Sequence, residues 1–212
     1  MTTQPRGSAA RGRLVVIVGP DGVGKTTLAR LLLKAHNGPT AYFHFRPPVR
    51  HRMNALPPER SIPPPSKGSK EGSLVLGWIR LARNFAWFWL AYLVRVLPAT
   101  NAGTLVIGDR WAYGYLAQPY ALKYYGPPWL AQLAIRAMPQ PDIVVNLAAA
   151  PAVIHDRKPE LEPDEIESEL RAWVRVPARH VWTIDASEAP ETVAANVRVR
   201  LQTHPGPGPT DL

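Results

Sequence analysis

Eight residues near the N-terminus have the types and spacing of a loop that binds nucleotide phosphates. The stretch GPDGVGKT, residues 19–26, fits G-x-x-x-x-G-K-[ST] and stands between an apolar run and a helical one. Glycines let backbone N–H groups close around phosphate oxygens, a lysine adds a full positive charge, and a threonine hydroxyl can ligate Mg²⁺. The pattern predicts a nucleotide site, with a glycine-rich turn as the alternative. The predicted contacts are Gly19, Asp21, Gly22, Val23, Gly24, Lys25, Thr26 and Thr27.

A second group of chemically useful residues ends an apolar run at TLVIGDRW, residues 104–111. In open α/β sheets, ligands bind beyond the carboxyl ends of the strands, which is where this run would place Asp109 and Arg110. The carboxylate can hold Mg²⁺ or its water, or take a proton from an acceptor, and the guanidinium can bind a phosphate through two hydrogen bonds. A structural ion pair at the strand end is the alternative.

Five short, uninterrupted apolar runs are candidate strands that would position these residues. Helical stretches separate the runs, a pattern typical of a parallel sheet that is covered on both faces. The sequence therefore predicts a three-layer α/β fold with a five-stranded parallel sheet flanked by helices. The runs are Leu14–Val18, Ala41–Phe45, Leu105–Gly108, Ile143–Leu147 and His180–Ile184.

Composition places these elements in one domain. The chain has 212 residues, of which 46% are apolar and 19% charged, so a single buried core is expected over residues 13–202. Flexible tails are expected at 1–12 and 203–212, and a proline-rich loop at 46–72. No cysteine is present, which excludes disulfides and thiolate metal sites and favours a cytoplasmic location. The polar N-terminus has no signal-peptide pattern.

The formal net charge of +9 admits nucleic acid, an anionic membrane or phosphorylated small molecules as partners. No basic helix with a base-reading pattern is present, so no nucleic-acid partner is predicted. The aromatic segment 73–97 is interrupted by Arg80, Arg83 and Arg95, and its charge-free stretches are too short to span a bilayer. A buried core helix with one polar face is predicted there, with peripheral membrane contact as the alternative.

Four segments taken in order resemble the thymidylate kinase family of P-loop nucleoside monophosphate kinases, from about Arg13 to Leu201. PDGVGKTT is similar to the family's phosphate loop, and GTLVIGDRW to its Asp-Arg strand end. PDIVVNLAAAPAVIHDRKPEL is similar to the strand that leads to the lid, and VWTIDASEAPETV to the last strand and the turn near the adenine. The resemblance implies the P-loop kinase fold, ATP and Mg²⁺ as cofactors, and phosphoryl transfer to a small acceptor.

The resemblance also implies roles for residues at the first two segments. Asp21 would lie near the acceptor sugar, while Lys25 and Thr26 would meet the ATP phosphates and Mg²⁺. Asp109 would meet the metal or the acceptor oxygen, and Arg110 the acceptor phosphate. The predicted metal ligands are thus Thr26 and Asp109, and the predicted catalytic residues include Lys25, Asp109 and Arg110.

Two further arginines and a partner follow from the same resemblance. Arg46 matches an arginine that ends the family's second strand and would contact the acceptor. Arg157, in a short lid at 157–163, would lie over the nucleotide and neutralise the transferring group, which makes it the fourth predicted catalytic residue. The family's dimers and the apolar bulk of residues 73–97 favour a homodimer.

The chain departs from the family where the acceptor base would bind. Counting back from Asp109 places Phe88 and Leu90 where thymidylate kinases hold the thymine through an arginine and a glutamine. Arg80 and Arg83, earlier on the same predicted helix, would then be either new anion contacts or solvated charges. A base-binding site whose hydrogen-bonding partners become apolar loses much of its discrimination.

The function expected from these residues is transfer of the γ-phosphoryl group of ATP to a nucleoside monophosphate, with dTMP as the family default. One alternative is a kinase of the same fold that acts on a sugar or lipid-linked acceptor. The other is a regulatory module that binds and hydrolyses a nucleotide without an acceptor, a function for which the Asp-Arg pair is not needed.

Overall fold

The computed structural model describes residues 11–45, 53–54, 73–159 and 161–204, with the backbone alone at 53–54. Most of both predicted tails, most of the proline-rich loop at 46–72 and one position of the predicted lid lie outside these ranges. Arg46 lies outside them as well, so its predicted acceptor contact stays a prediction.

Six strands form one sheet in the order β3-β2-β4-β1-β5-β6. All neighbouring pairs are parallel except β2 and β3, which are antiparallel. The five predicted strands are confirmed to within one residue at each end. The sixth, β3, is a two-residue edge strand inside the proline-rich segment and was not predicted. The strands are β1 (Leu14–Val18), β2 (Thr40–His44), β3 (Met53–Asn54), β4 (Leu105–Asp109), β5 (Ile143–Ala148) and β6 (Val181–Asp185).

Eight α-helices within the described ranges connect and cover the strands. Four of them begin on a proline, whose fixed φ suits the first helical position, where no N–H bond is needed. They are α1 (Lys25–Lys34), α2 (Leu74–Ala91), α3 (Leu97–Asn101), α4 (Gly114–Ala117), α5 (Pro128–Arg136), α6 (Pro151–Arg157), α7 (Pro163–Val174) and α8 (Pro190–Thr203). A π-helical turn (Tyr92–Val96) joins α2 to α3, and a 3₁₀ turn (Tyr120–Leu122) follows α4.

The sheet is buried on both faces, as the uninterrupted apolar runs predict. Successive side chains of β1 enter opposite layers: Val16 joins the core under α2 and α5, while Val15 and Ile17 join the core under α1 and α8. All five residues of β1 and of β4 are buried. The fold is therefore the predicted three-layer arrangement, and the carboxyl ends of β1, β2 and β4 lie side by side.

The prediction of a buried helix over 73–97 is half right. One stripe of α2 is buried and includes Asn84 and Phe88, which are 2% and 3% exposed. The opposite stripe is apolar rather than polar, with Val75, Ile79 and Leu90 49–63% exposed. The sheet lies against only one side of α2, and no described segment covers the other side. No described helix combines the length and the apolar character needed to cross a bilayer.

Candidate active site

The phosphate loop joins β1 to α1 and has backbone angles that require glycine. Gly19 has φ +135°, and a Cβ there would lie 2.5 Å from the Leu147 carbonyl oxygen. Gly22 has φ +89°, and a Cβ there would lie 2.8 Å from Cβ of Lys158. Side chains rarely adopt such angles, so these glycines permit the tight curvature that points N–H groups into a phosphate cradle. The glycines of the sequence motif therefore stand where the backbone of the loop requires glycine.

Lys25, the first residue of α1, is folded onto this loop and is 7% exposed. Its Nζ donates to the carbonyl oxygens of Gly19 and Pro20 at 2.9 and 2.7 Å and to Asp21 Oδ1 at 3.2 Å. Burial lowers the pKa of the Lys25 ammonium, and the Asp21 carboxylate acts in the opposite sense. The charge of Lys25 is thus held inside the loop, ready to meet a phosphate.

Asp21 joins the phosphate loop to the end of β4. Its Oδ1 accepts from Lys25 and from Nη2 of Arg110 in a close contact. Burial by itself would raise the pKa of the Asp21 carboxyl, but the charges of Lys25 and Arg110 hold it well below its ordinary value. Arg110 adopts φ +58°, rare for a residue with a side chain, and this turn directs it toward Asp21. The two motifs are therefore in direct contact.

Asp109, at the end of β4, is 4% exposed and has one oxygen available to a ligand. Its Oδ2 accepts from the Tyr42 hydroxyl at 2.7 Å and lies 3.4 Å from Nδ1 of His44. Its Oδ1 is buried and has no hydrogen-bond partner within the described ranges. Burial would raise the pKa of Asp109, but the contact with His44 and the charges of Lys25 and Arg110 lower it, so the group is an anion.

The predicted Mg²⁺ ligands suit that ion. Within the described ranges, no three His, Cys, Asp or Glu side chains are grouped so as to hold a metal ion by themselves. Mg²⁺ in phosphoryl-transfer sites is usually held by one or two protein oxygens together with substrate phosphates and water. Thr26 follows the loop lysine and is half-buried, and Oδ1 of Asp109 is an ionised oxygen without a partner. The donor set therefore fits Mg²⁺ that arrives with a nucleotide.

A chain of polar contacts ties Arg110 to α7. Nη1 of Arg110 lies 3.5 Å from Oε1 of Gln118, and Nε2 of Gln118 donates to Glu169 Oε2 at 2.8 Å. Burial raises the pKa of Glu169, the Gln118 contact opposes this, and the nearby Asp21 carboxylate reinforces it. The guanidinium of Arg110 is thus held from two sides, by Asp21 and through Gln118.

Beside Arg110 opens a cavity of 410 Å³, here called the larger cavity. Phe45 and Phe88 stack in its wall with ring centroids 4.6 Å apart. Trp111 and Trp173 also line it, and their indole N–H groups are buried and have no partner in the described part of the chain. The lining residues are Phe45, Arg80, Arg83, Asn84, Phe88, Arg110, Trp111, Gly114, Gln118, Ala121, Leu122, Lys123 and Trp173.

Of the two positions that counting back from Asp109 predicts for the acceptor base, only one lines this cavity. Phe88 lines it, but Leu90 does not and is 49% exposed. Phe88 and Leu90 are two positions apart in α2, and because an α-helix turns by about 100° per residue they lie on nearly opposite sides of it. The α2 residues that reach the cavity with polar groups are Arg80, Arg83 and Asn84.

A smaller cavity of 190 Å³ lies on the other side of the phosphate loop. Arg157, at the end of α6, lines it and donates from Nη1 to the Ala186 carbonyl oxygen at 2.9 Å. The structure thus places the predicted lid arginine against the turn after β6. The lining residues are Gly22, Val23, Gly24, Thr27, Leu28, Leu147, Arg157, Ala186, Glu188, Pro190 and Val193.

Comparison with solved structures identifies this arrangement. The chain is similar to thymidylate kinase from Candida albicans, with a TM-score of 0.65, 17% identity, and coverage of 91% of this chain and 92% of that one. The chain has the P-loop kinase fold of thymidylate kinase. The fold implied by the four sequence segments is therefore confirmed.

Sequence comparison gives a shorter match. The chain is 41% identical over 68 residues to guanylate kinase from Synechococcus sp. (strain JA-3-3Ab), which is 32% of this chain. The match spans 24% of that relative, about a quarter of its length. No family model matches the chain.

Several residues around these cavities were not predicted from the sequence. His44 is the last residue of β2 and Tyr42 lies two residues before it. The register pairs His44 with Asp109, so the parallel alignment of β2 and β4 was the available signal. Glu169 and Trp173 lie on α7, where their spacing of four indicates one helix face. Neither pattern indicates which cavity the face lines, because that depends on how α7 packs.

Proposed function

We propose that this protein transfers the γ-phosphoryl group of ATP to a small acceptor that itself carries a phosphate. A nucleoside monophosphate is the expected class, with dTMP as the family default. The contact of Asp21 with both Lys25 and Arg110 is the observation that carries the proposal. It joins a loop suited to the donor phosphates to an arginine that lines the larger cavity, an arrangement that hydrolysis alone does not need.

Different residues would bind ATP and the acceptor. The smaller cavity, beside Val23 and Arg157, would take the adenine side of ATP, and the loop N–H groups with Lys25 would bind its phosphates. Arg110 would bind the acceptor phosphate, with one of its oxygens in line with the γ-phosphorus. That oxygen forms the new P–O bond while the bond to the β-phosphate oxygen breaks and ADP leaves. Arg157 would neutralise charge on the transferring group if it leaves the Ala186 carbonyl.

Mg²⁺, when bound with the nucleotide, supplies charge neutralisation at the transferring phosphate. Thr26 and Asp109 would hold it from the protein side. Tyr42 would keep the Asp109 carboxylate aimed by donating to Oδ2, which leaves Oδ1 for the ion. The absence of cysteine suits a reducing compartment, and we propose the cytoplasm.

The proposal predicts that purified protein with Mg·ATP releases ADP faster when an acceptor is added. The panel should contain the nucleoside monophosphates and several phosphosugars. Replacing Arg110 with glutamine should lower kcat/KM for the acceptor by about a hundredfold, because a charge-assisted bidentate contact is lost. Arg95→Gln, which removes an exposed arginine outside both cavities, should leave kcat/KM unchanged. No acceptor stimulation across the panel would contradict the proposal.

Two other functions remain as alternatives to a nucleotide acceptor. One is a kinase of a sugar or lipid-linked acceptor; the exposed apolar stripe of α2, on the side of the helix opposite the larger cavity, favours the lipid-linked case, for which vesicles should stimulate ATP turnover. A regulatory NTPase would hydrolyse ATP at the same rate with or without Arg110.

We further propose that a second copy of the chain covers the apolar stripe of α2. Val75, Ile79, Leu90 and Val94 are exposed on it, and contiguous exposed apolar surface marks interfaces. Sedimentation velocity should show a dimer that Leu90→Glu converts to a monomer, since a carboxylate would be buried without a partner. Val199→Glu, at an equally exposed position of α8, should leave the dimer intact. A monomer that instead binds phospholipid vesicles would favour membrane contact.

A further inference from the structure

The larger cavity has more positive charge than one acceptor phosphate needs. Besides Arg110, it is lined by Arg80 and Arg83 from α2 and by Lys123 from the turn after the 3₁₀ segment. No Asp or Glu is among its described lining residues. Arg110 is already paired with Asp21, so the three remaining cations need a separate explanation.

Arg83 is exposed, but part of its guanidinium is held in place by a neighbouring side chain. Its Nε and Nη2 both donate to Oδ1 of Asn84, at 3.3 and 3.2 Å. Asn84 is 2% exposed, and its Nδ2 donates to the Tyr115 hydroxyl at 2.6 Å. This chain of contacts fixes one edge of the Arg83 guanidinium against the cavity wall and leaves its other N–H group for a ligand.

Arg80 and Lys123 meet at the same wall. Nη1 of Arg80 lies 3.5 Å from the Lys123 carbonyl oxygen, so the turn approaches α2 at this point. Lys123 adopts φ +52°, a backbone conformation uncommon for a residue with a side chain. This left-handed residue ends the 3₁₀ turn, as is common at the ends of helices, and so fixes where the Lys123 backbone meets α2.

Arg83 and Lys123 are exposed and Arg80 is half-buried, but solvation alone does not explain why the three charges are grouped around one cavity. Arg80 and Arg83 are three residues apart on one helix, a spacing at which like charges repel. Between residues 73 and 141 the only acidic residue is Asp109, which is buried against Tyr42. The three cations thus converge with no carboxylate on their own elements, and an anion bound among them would relieve the repulsion.

We infer that the acceptor carries a second anionic group, bound by Arg80, Arg83 and Lys123 while Arg110 binds the phosphate that receives the γ-phosphoryl. This inference rests on the proposed function and narrows its substrate class. The acceptor is then a bis-anion, such as a nucleoside bisphosphate, a sugar bisphosphate or a phosphosugar acid, either free or linked to a lipid. Trp111 and Trp173 would donate their unpartnered indole N–H groups to oxygens between the two ends.

Matched pairs of acceptors test the inference. Isothermal titration calorimetry of the full chain with dTMP and thymidine 3′,5′-bisphosphate, and with glucose 6-phosphate and glucose 1,6-bisphosphate, gives the affinity ratio within each pair. In at least one pair the bisphosphate should bind about tenfold more tightly or better, the effect of one or more charge-assisted hydrogen bonds. Phosphatidylcholine vesicles with and without phosphatidic acid form a third pair, which separates a lipid-linked source from a free one.

Substitutions then locate the second anion. Arg83→Gln and Lys123→Gln should each reduce the affinity ratio to near unity, because each removes a charge but keeps a polar side chain. Arg95→Gln removes an exposed arginine that follows α2 and does not line the cavity, so the ratio should stay at the wild-type value. Melting temperatures of all three variants should match that of the wild type, which excludes unfolding as the cause.

The outcomes separate this inference from the proposed function. Bisphosphate preference that depends on Arg83 supports the inference even if no acceptor stimulates ADP release, a result that would contradict only the kinase proposal. Acceptor-stimulated ADP release with equal affinities in every pair overturns the inference and leaves the kinase proposal standing. The inference is also overturned if Arg95→Gln lowers the affinity ratio as much as Arg83→Gln does, or if none of the probes binds.

Discussion

Replacing Lys25 with methionine is expected to lower kcat for phosphoryl transfer by about 10²–10³-fold, the usual cost of removing one charge that stabilises a transferring phosphate. Methionine matches the length of the lysine stem and can stay buried where Lys25 is 7% exposed. The carbonyl oxygens of Gly19 and Pro20 are buried and lose a donor, so a moderate fall in melting temperature is expected beside the loss of kcat. The measurements are kcat by ADP release and the melting temperature.

Lys34→Met is the matched control for this variant. Lys34 ends α1, the helix that Lys25 begins, and it is exposed. Its loss should change kcat by less than twofold, because a solvated charge far from the loop contributes little to the field at the phosphates. If Lys25→Met retained activity within threefold of the Lys34→Met value, the loop would not be the donor site, and the proposed function would fail with it.

The strands and the phosphate loop were predictable because the forces that form them are local. A strand buried on both faces is mostly apolar, so Leu14–Val18 is visible as an uninterrupted run and Ile143–Ala148 as a run that only Asn146 interrupts. The loop was predictable because its positive φ angles restrict Gly19 and Gly22 to glycine. In both cases each residue's type is determined by its own position in the fold, independently of distant contacts.

The walls of the larger cavity were not predictable in this way. Gln118 meets Glu169 across 51 positions of sequence, and Tyr42 meets Asp109 across 67. Their types alone are compatible with solvent-exposed positions. The packing of α7 against α4 decides that contact, and no periodic pattern encodes the packing.

The helix α2 shows why counting along the sequence did not locate the cavity wall. Phe88 and Leu90 were placed together by their distance in sequence from Asp109, yet one lines the cavity and the other is exposed. An α-helix turns by about 100° per residue, so two residues that are two positions apart lie on nearly opposite sides of the helix. Distance in sequence from β4 does not indicate which side of α2 packs on the sheet, and that side depends on packing that only the structure shows.

Asp21→Asn is expected to lower the free energy of unfolding by about 2–4 kcal/mol at pH 7, somewhat less than the usual cost of removing one partner from a buried ion pair. The carboxylate side chain is 15% exposed and accepts from both Lys25 and Arg110. Asparagine keeps one acceptor oxygen but leaves these two cations close together without a counter-charge. Denaturant titration, with acceptor kinetics beside it, measures the loss.

The unfolding free energies of the wild type and of Asp21→Asn should depend differently on pH. Lys25 and Arg110 hold the pKa of the Asp21 carboxyl below its ordinary value, so the folded state binds the proton less readily than the unfolded state. The stability that this carboxylate contributes is therefore complete above the unfolded pKa of about 4 and declines as pH falls toward the lower, folded value. The difference in unfolding free energy between wild type and Asp21→Asn should accordingly be constant from pH 8 to 5 and shrink below pH 4.

Asp156→Asn is the control for the loss of one negative charge at an exposed position. Asp156 is exposed on α6, so its substitution should change the unfolding free energy by less than about 0.5 kcal/mol at any pH. A difference for Asp21→Asn that stayed constant down to pH 2 would mean that packing of the loop, and not the charge of Asp21, holds Lys25 and Arg110 together. Because Asp21 is the contact between the phosphate loop and the larger cavity, a pH-dependent loss of stability with a parallel loss of acceptor turnover would tie the coupling of the two substrates to one carboxylate.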